Sequence, residues 1–259
     1  AQISAALTQW KKQDDLQFLR EVSSVPLQQC LRHLQTAFTN FFDKRAAYPR
    51  FKSRKKSRLG LEYSSSGFRF KGDDLYIARL KEPLSVVWSR DFDRSSVSTV
   101  TITKDAAGRW FVSCLGETVV KKRQVTGKTV GLDMGVKDTL VLSTGEKLSP
   151  RDDRDMEKKL AKVAKYQRRL SKKQTGSKNF AKAKTKLSKA HVQVVDARKD
   201  WIHKTTTKLV EDFDIVCIED LNVRGMTRAA RGKGRKAKAG LNRGIMSQSF
   251  AEIRCCLEY

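Results

Sequence analysis

Two acidic side chains stand at the ends of apolar runs. Asp133 closes Thr129-Val-Gly-Leu-Asp133 and lies between Gly131 and Gly135, and Glu219 follows Ile215-Val-Cys-Ile218. Both runs read as buried-type strands. Ligands collect at the C-terminal ends of parallel strands in an open α/β sheet. On neighbouring strands the two acids would converge. Carboxylate oxygens there suit a hard divalent cation, Mg2+ or Mn2+, which keeps several of its waters. Two such ions, about 3.5–4 Å apart, clamp the attacking and leaving oxygens of a phosphodiester. The flanking glycines allow close backbone approach. The plainer alternative makes Asp133 a strand-to-turn residue and Glu219 a cap for the next segment. Asp138 and Asp220 have weaker claims, and Asp220 is expected to face away from Glu219 if the strand continues.

The charge balance points to a polyanion. Fifty-four Lys and Arg against 28 Asp and Glu give a net charge of +26 over 259 residues. Such a chain repels itself unless a partner of opposite sign covers it. The cations come in tracts. Residues 44–58 contain no acid, and Arg50, Lys52, Arg54, Lys55 and Lys56 alternate there with Tyr48 and Phe51. Aromatic rings among cations can stack nucleic-acid bases, or Pro49-Arg50-Phe51 is a packed turn. Residues 158–189 hold thirteen Lys or Arg and no acid. Lys158, Lys165, Arg168, Arg169, Lys172, Lys173, Lys182 and Lys186 are the candidate phosphate contacts, since a merely solvated helix face normally mixes both signs. A third acid-free stretch, 224–244, is rich in glycine and reads as a mobile loop or gate, with Arg228, Arg231 and Arg235 as backbone contacts.

Several classes drop out. No apolar run approaches the roughly 18–20 residues of a membrane span. The opening residues have no basic stretch followed by an apolar one, so no signal peptide is expected, and the expected compartment is the cytoplasm. Five cysteines form no disulfide framework, no Cys-x-x-Cys occurs, and His33, His191 and His203 are the three histidines. No complete zinc site is therefore expected within these residues. Cys30, Cys114 and Cys217 read as small core hydrophobes.

Three regions must carry these residues. Residues 1–43 place Leu16, Leu19, Leu27, Leu31, Leu34 and Phe38 at helical spacings, with a break and restart at Ser23, Ser24 and Pro26. Residues 59–120 alternate in short runs separated by turns, which predicts a small antiparallel β-barrel. From 128 the order becomes strand, hairpin, two long helices divided at Gly176 and Ser177, then strand. Phe180, Leu187, Val194, Trp201, Thr205 and Leu209 are expected on one apolar stripe of the second helix, and residues 245–259 begin another helix. The expected class is α+β multidomain, with boundaries 1–58, 59–127 and 128–259.

Several stretches together resemble TnpB, the transposon-encoded RNA-guided nuclease family related to type V CRISPR effectors. They are Glu21-Val-Ser-Ser-Val-Pro-Leu-Gln-Gln29, Tyr48-Pro-Arg-Phe-Lys-Ser53, Gly131-Leu-Asp-Met-Gly-Val-Lys-Asp138 and Ile218-Glu-Asp-Leu-Asn-Val223. The resemblance implies a helical recognition part (1–58), a wedge-like barrel (59–127) and a RuvC nuclease domain of RNase H-like fold (128–259). It also implies a guide RNA from the transposon end, double-stranded target DNA, and a Mg2+-dependent site of Asp, Glu and Asp. Asp133 matches the first acid and Glu219 the second. The family's third Asp and its Zn2+ ribbon have no match within these residues. Three functions fit: an RNA-guided DNA endonuclease, a non-cleaving, repressor-like RNA-guided DNA binder, or a basic structural RNA-binding protein.

Overall fold

The computed structural model describes residues 2–53, 57, 59–119, 123–150, 154–229 and 234–258. The chain divides into two compact units, Ala1–Lys121 and Lys122–Tyr259.

In the first unit, helix α1 (Gln2–Trp10) and a 3-10 segment (Asp14–Arg20) lead into helix α2 (Ser24–Phe42). The Ser23 hydroxyl accepts from the Val25 amide at 3.3 Å, which satisfies one of the donors a helix start leaves open. The expected break and restart thus has a cap behind it. Strands β1 (Leu59–Ser64), β2 (Phe68–Lys71), β3 (Asp74–Ile77), β4 (Val97–Lys104) and β5 (Trp110–Gly116) follow, all pairing antiparallel. Helix α2 meets β1, where His33 Nε2 lies 3.2 Å from a Glu62 carboxylate oxygen.

These strands do not form the expected barrel. They make a three-stranded sheet ordered β1-β4-β5 and a separate β2-β3 hairpin, and neither closes. A barrel needs an unbroken ladder of hydrogen bonds around its circumference. Here the stretch after Pro83 contributes one isolated bridge, Leu84 to Leu75, instead of a strand. Trp88 packs tilted and Phe92 edge-on against Phe70 instead, with ring centroids 6.0 and 6.2 Å away. The hairpin and the sheet share a core of Tyr63, Leu75, Ile77, Val97 and Val100, so they meet through side chains and not through edges.

The second unit is built on one mixed sheet. Strands β6 (Thr129–Asp133), β7 (Leu140–Leu142), β8 (Lys147–Leu148) and β9 (Ile215–Ile218) lie in the order β8-β7-β6-β9. Among the described residues only β6 and β9 pair parallel. Between β8 and β9 run helices α3 (Arg154–Ser171) and α4 (Lys178–Asp212). The turn between them uses Gly176 at φ +88° and the Ser177 hydroxyl, which accepts from the Phe180 amide. Helices α5 (Val223–Met226), α6 (Arg235–Gln248) and α7 (Phe250–Glu258) complete the chain. The expected mobile loop over 224–244 is therefore largely helical among the described residues. Its glycine content lowers intrinsic helix propensity, but Ile245 and Gln248 bury one face, and tertiary packing decides.

The core of this unit gathers Val130, Leu132 and Met134 with Leu140 and Leu142. Ile202 and Leu209 of α4, Ile245 of α6, and Phe250 and Ile253 of α7 pack on them. The stripe on α4 also differs from expectation. Leu187, Val194 and Leu209 are buried as expected and Trp201 packs half-buried on the core, but Ile202 and Thr206 are buried more deeply than Trp201 and Thr205. The early part of α4 packs on α3 and the late part on the sheet and α7, so the buried face rotates with the partner. No helix among the described residues is long and apolar enough to cross a membrane.

Candidate active site

Residue alternation along a strand assigns each side chain to a face. On β6, Val130 and Leu132 point into the core, so Thr129, Gly131 and Asp133 point the other way. On β9, Val216 and Ile218 pack on the same core, so Ile215, Cys217 and then Glu219 point away from it. Leu132 is in register with Ile218, and the next position on each parallel strand is Asp133 and Glu219. Adjacent strands lie about 4.8 Å apart. Alternation thus assigns both acids to the face away from the core, at the C-terminal ends of the two parallel strands. Both are exposed, and neither carboxylate has a hydrogen-bond or ion-pair partner among the described residues.

The neighbouring acids are engaged elsewhere. Asp220 turns to the helical side and pairs with Arg254 of α7 at 2.5 Å. Asp138 pairs with Lys147 at 3.3 Å. Cys217, expected in the core, is exposed, because the alternation on β9 sends it to the open face opposite Gly131. Cys30 is exposed as well, and Cys114 is half-buried, with burial raising its thiol pKa.

The loop after Asp133 is tightly held. The Gly135 amide donates to the Thr139 carbonyl at 3.3 Å, and a Cβ at Gly135 would lie 2.7 Å from the Asp138 carbonyl oxygen. Behind it, Gln248 of α6 is buried, and its side chain bonds both Thr139 and Val136. The residues after Glu219 are held locally. Leu221 and Val223 pack on the core, and the Asn222 side chain accepts from the Gly225 amide at 2.8 Å. The sequence reading did not single out Gln248. Its signal was a polar residue three positions after Ile245, on the apolar stripe of a helix.

The donor set suits a hard cation in part. Mg2+ is commonly held by one or two carboxylates with waters filling the remaining octahedral positions, and two unpartnered carboxylates on one face supply that. Among the described residues, no group of three or more His, Cys, Asp or Glu is placed to hold a metal ion.

The cationic candidates sit on open surface. Arg50, Lys52, Lys158, Lys165, Arg168, Arg169, Lys172, Lys173, Lys182, Lys186, Arg228 and Arg235 are all exposed. Arg54, Lys55, Lys56 and Arg231 lie outside the described residues. A groove near the α3–α4 turn brings together Tyr166, Arg169, Lys172, Lys173, Lys182 and Lys186. Lys158 instead lines a second groove, shared with Asp155, Asp196 and Asp200, so the positive face is strongest near the turn. In the first unit the Phe51 ring is fully exposed, while Tyr48 packs edge-on against Phe38 and Phe41.

Comparison with known proteins shows what the chain is similar to. The profile of the OrfB_IS605 family, described as "Probable transposase", matches residues 111–230. Two proteins named "Putative RNA-guided DNA endonuclease" align along the chain. The one from Streptomyces pristinaespiralis is 46% identical over 260 residues, covering 100% of this chain and 62% of that protein. The other, InsQ of Escherichia coli (strain K12), is 34% identical over 265 residues, covering 98% of this chain and 63% of that protein. The chain is homologous to the TnpB/IS605 family of RNA-guided DNA endonucleases over nearly its full length. It spans about three-fifths of the length of these two relatives. The OrfB_IS605 profile covers both acid-bearing strands and the basic helix pair.

Proposed function

We propose that this chain belongs to an RNA-guided DNA endonuclease in which Asp133 and Glu219 are two of the carboxylates that hold the catalytic Mg2+ or Mn2+. The supporting observation is their placement. Two exposed, unpartnered acids share the open face at the ends of adjacent parallel strands, in a protein of net charge +26. Bound there, the cation would supply charge neutralisation at a phosphodiester and a nucleophilic water at neutral pH. The residues themselves would orient the ion and leave one side of the sheet clear for a nucleic-acid strand. The cations near the α3–α4 turn, with Arg50 and Lys52, would grip the phosphates of a guide RNA and of double-stranded target DNA. Sequence choice would come from base pairing with the guide. Work on cellular DNA places this function in the cytoplasm of a prokaryote.

A second reading has an observation of its own. It is an RNA-guided binder that does not cut, and it draws on the exposed cations grouped near the α3–α4 turn, which can hold phosphates without a metal. One experiment separates the two. The chain is purified with its bound RNA and given DNA matched to the guide end of that RNA, with and without Mg2+. The endonuclease reading expects Mg2+-dependent cutting that disappears in Asp133→Ala and in Glu219→Ala, with DNA binding retained. Guide-dependent binding without cutting supports the second reading. Binding that ignores the guide and collapses steeply with salt would overturn both.

A further inference from the structure

Helix α6 touches both acid-bearing arms of the second unit. Near its start, the Lys238 ammonium donates to the Met226 carbonyl at 2.6 Å, and the Asn242 amide donates to the Thr227 carbonyl at 2.7 Å. Both acceptors lie on the short arm that follows Glu219. At its end, α6 meets the loop that follows Asp133. The Thr139 hydroxyl donates to Gln248 Oε1 at 2.6 Å, and Gln248 Nε2 donates to the Val136 carbonyl at 3.0 Å. Gly244, one turn earlier, lets the helix approach so closely that a Cβ would stand 2.9 Å from Val136 Cγ1. Gln248 is 2% exposed and Thr139 is fully buried.

A leucine of similar volume would fill this space with no polar atoms to satisfy. A buried amide that uses its oxygen on one residue and its nitrogen on another instead selects one loop geometry, because any other leaves polar groups unpaired in a low dielectric. We propose that Gln248 is a positioning residue that, with Thr139, sets the direction of Asp133 toward Glu219, α6 acting as a bracket between the two arms. The inference rests on the reading of Asp133 as a metal ligand. Gln248 itself touches neither the ion nor the nucleic acid. Outer-shell partners of metal ligands typically change metal affinity 10–100-fold when removed.

The test reads metal binding directly, by titrating the purified chain with Mn2+ and following the loss of the free-ion electron paramagnetic resonance signal. Gln248→Leu and Thr139→Val are each expected to weaken Mn2+ binding about 10-fold or more. Thr139→Ser keeps the hydroxyl and is expected to stay within about twofold of wild type, a rescue that packing alone would not produce. Should Gln248→Leu not fold, the isosteric Thr139→Val against Thr139→Ser carries the comparison. Asp133→Ala separates the two claims. If it abolishes binding while Gln248→Leu and Thr139→Val leave the Mn2+ affinity unchanged, the positioning role is overturned and the acid site stands. If Asp133→Ala binds Mn2+ like wild type, the reading of the acid pair falls, and this inference with it.

Discussion

Two glycines of α6 make opposite predictions for the same substitution. Replacing a helix-interior glycine by alanine stabilises by about 1 kcal/mol through propensity alone. At Gly240 the new methyl meets nothing within 4 Å, so Gly240→Ala is expected to gain about that amount. At Gly244 the same methyl would stand 2.9 Å from Val136 Cγ1. Valine is stiff at χ1, so the clash moves the loop or the helix and does not relax by a rotamer change. Overpacking of this kind costs roughly 1–3 kcal/mol. Subtracting the propensity gain leaves Gly244→Ala destabilised by about 1 kcal/mol, a gap of about 2 kcal/mol from Gly240→Ala. Thermal unfolding followed by circular dichroism should place the two midpoints roughly 4–8 °C apart, on opposite sides of wild type. Val136→Ala removes the offending methyl, so Gly244→Ala made in that background should become stabilising. The reasoning fails if Gly244→Ala stabilises as much as Gly240→Ala, or if its cost is unchanged when Val136 is shortened.

Other outcomes follow from the same geometry. Ile202→Ala should cost about 2–5 kcal/mol in urea unfolding, because Ile202 is 1% exposed, whereas Thr205→Ala should cost below about 1 kcal/mol. The Asp214 carboxylate accepts from the Thr126 and Gly127 amides and from Arg123, and these bonds hold its pKa below the ordinary value. Its contribution is therefore present above the unfolded pKa of about 3.9 and is lost as pH falls through the lower folded value. Asp214→Asn should flatten the stability-versus-pH profile below about pH 4 relative to wild type, measured by melting at successive pH values. Reversing Lys165, Arg168, Lys172 and Lys173 to Glu should abolish co-purification of RNA, and unchanged RNA recovery would remove the helix pair from the nucleic-acid surface.

The strands that carry the acids were legible because each is an apolar run closed by a single carboxylate, and parallel pairing of β6 with β9 then fixes their alignment. The division of the helix pair at Gly176 and Ser177 was legible for an equally local reason, a glycine at positive φ before a capping serine. Long-range relations were less visible. Nothing in the alternating runs of 59–120 says whether a hairpin bonds to a sheet edge or packs on its face, and here it packs on the face. The late part of α4 turns Ile202 inward because its partner changes from α3 to the sheet, which periodicity within one helix does not encode. Helix α6 was hidden by its glycines, whose low propensity is overridden by burial of Ile245 and Gln248.

The central claim is that Asp133 and Glu219 together hold a divalent cation. Crystals of the whole chain grown in Mn2+ and measured at the manganese absorption edge test it most directly. The account predicts an anomalous peak on the open face of the sheet, within coordinating distance of both carboxylates and absent in Asp133→Ala. An anomalous map without density between Asp133 and Glu219, at Mn2+ concentrations that saturate catalysis or nucleic-acid binding, would contradict it.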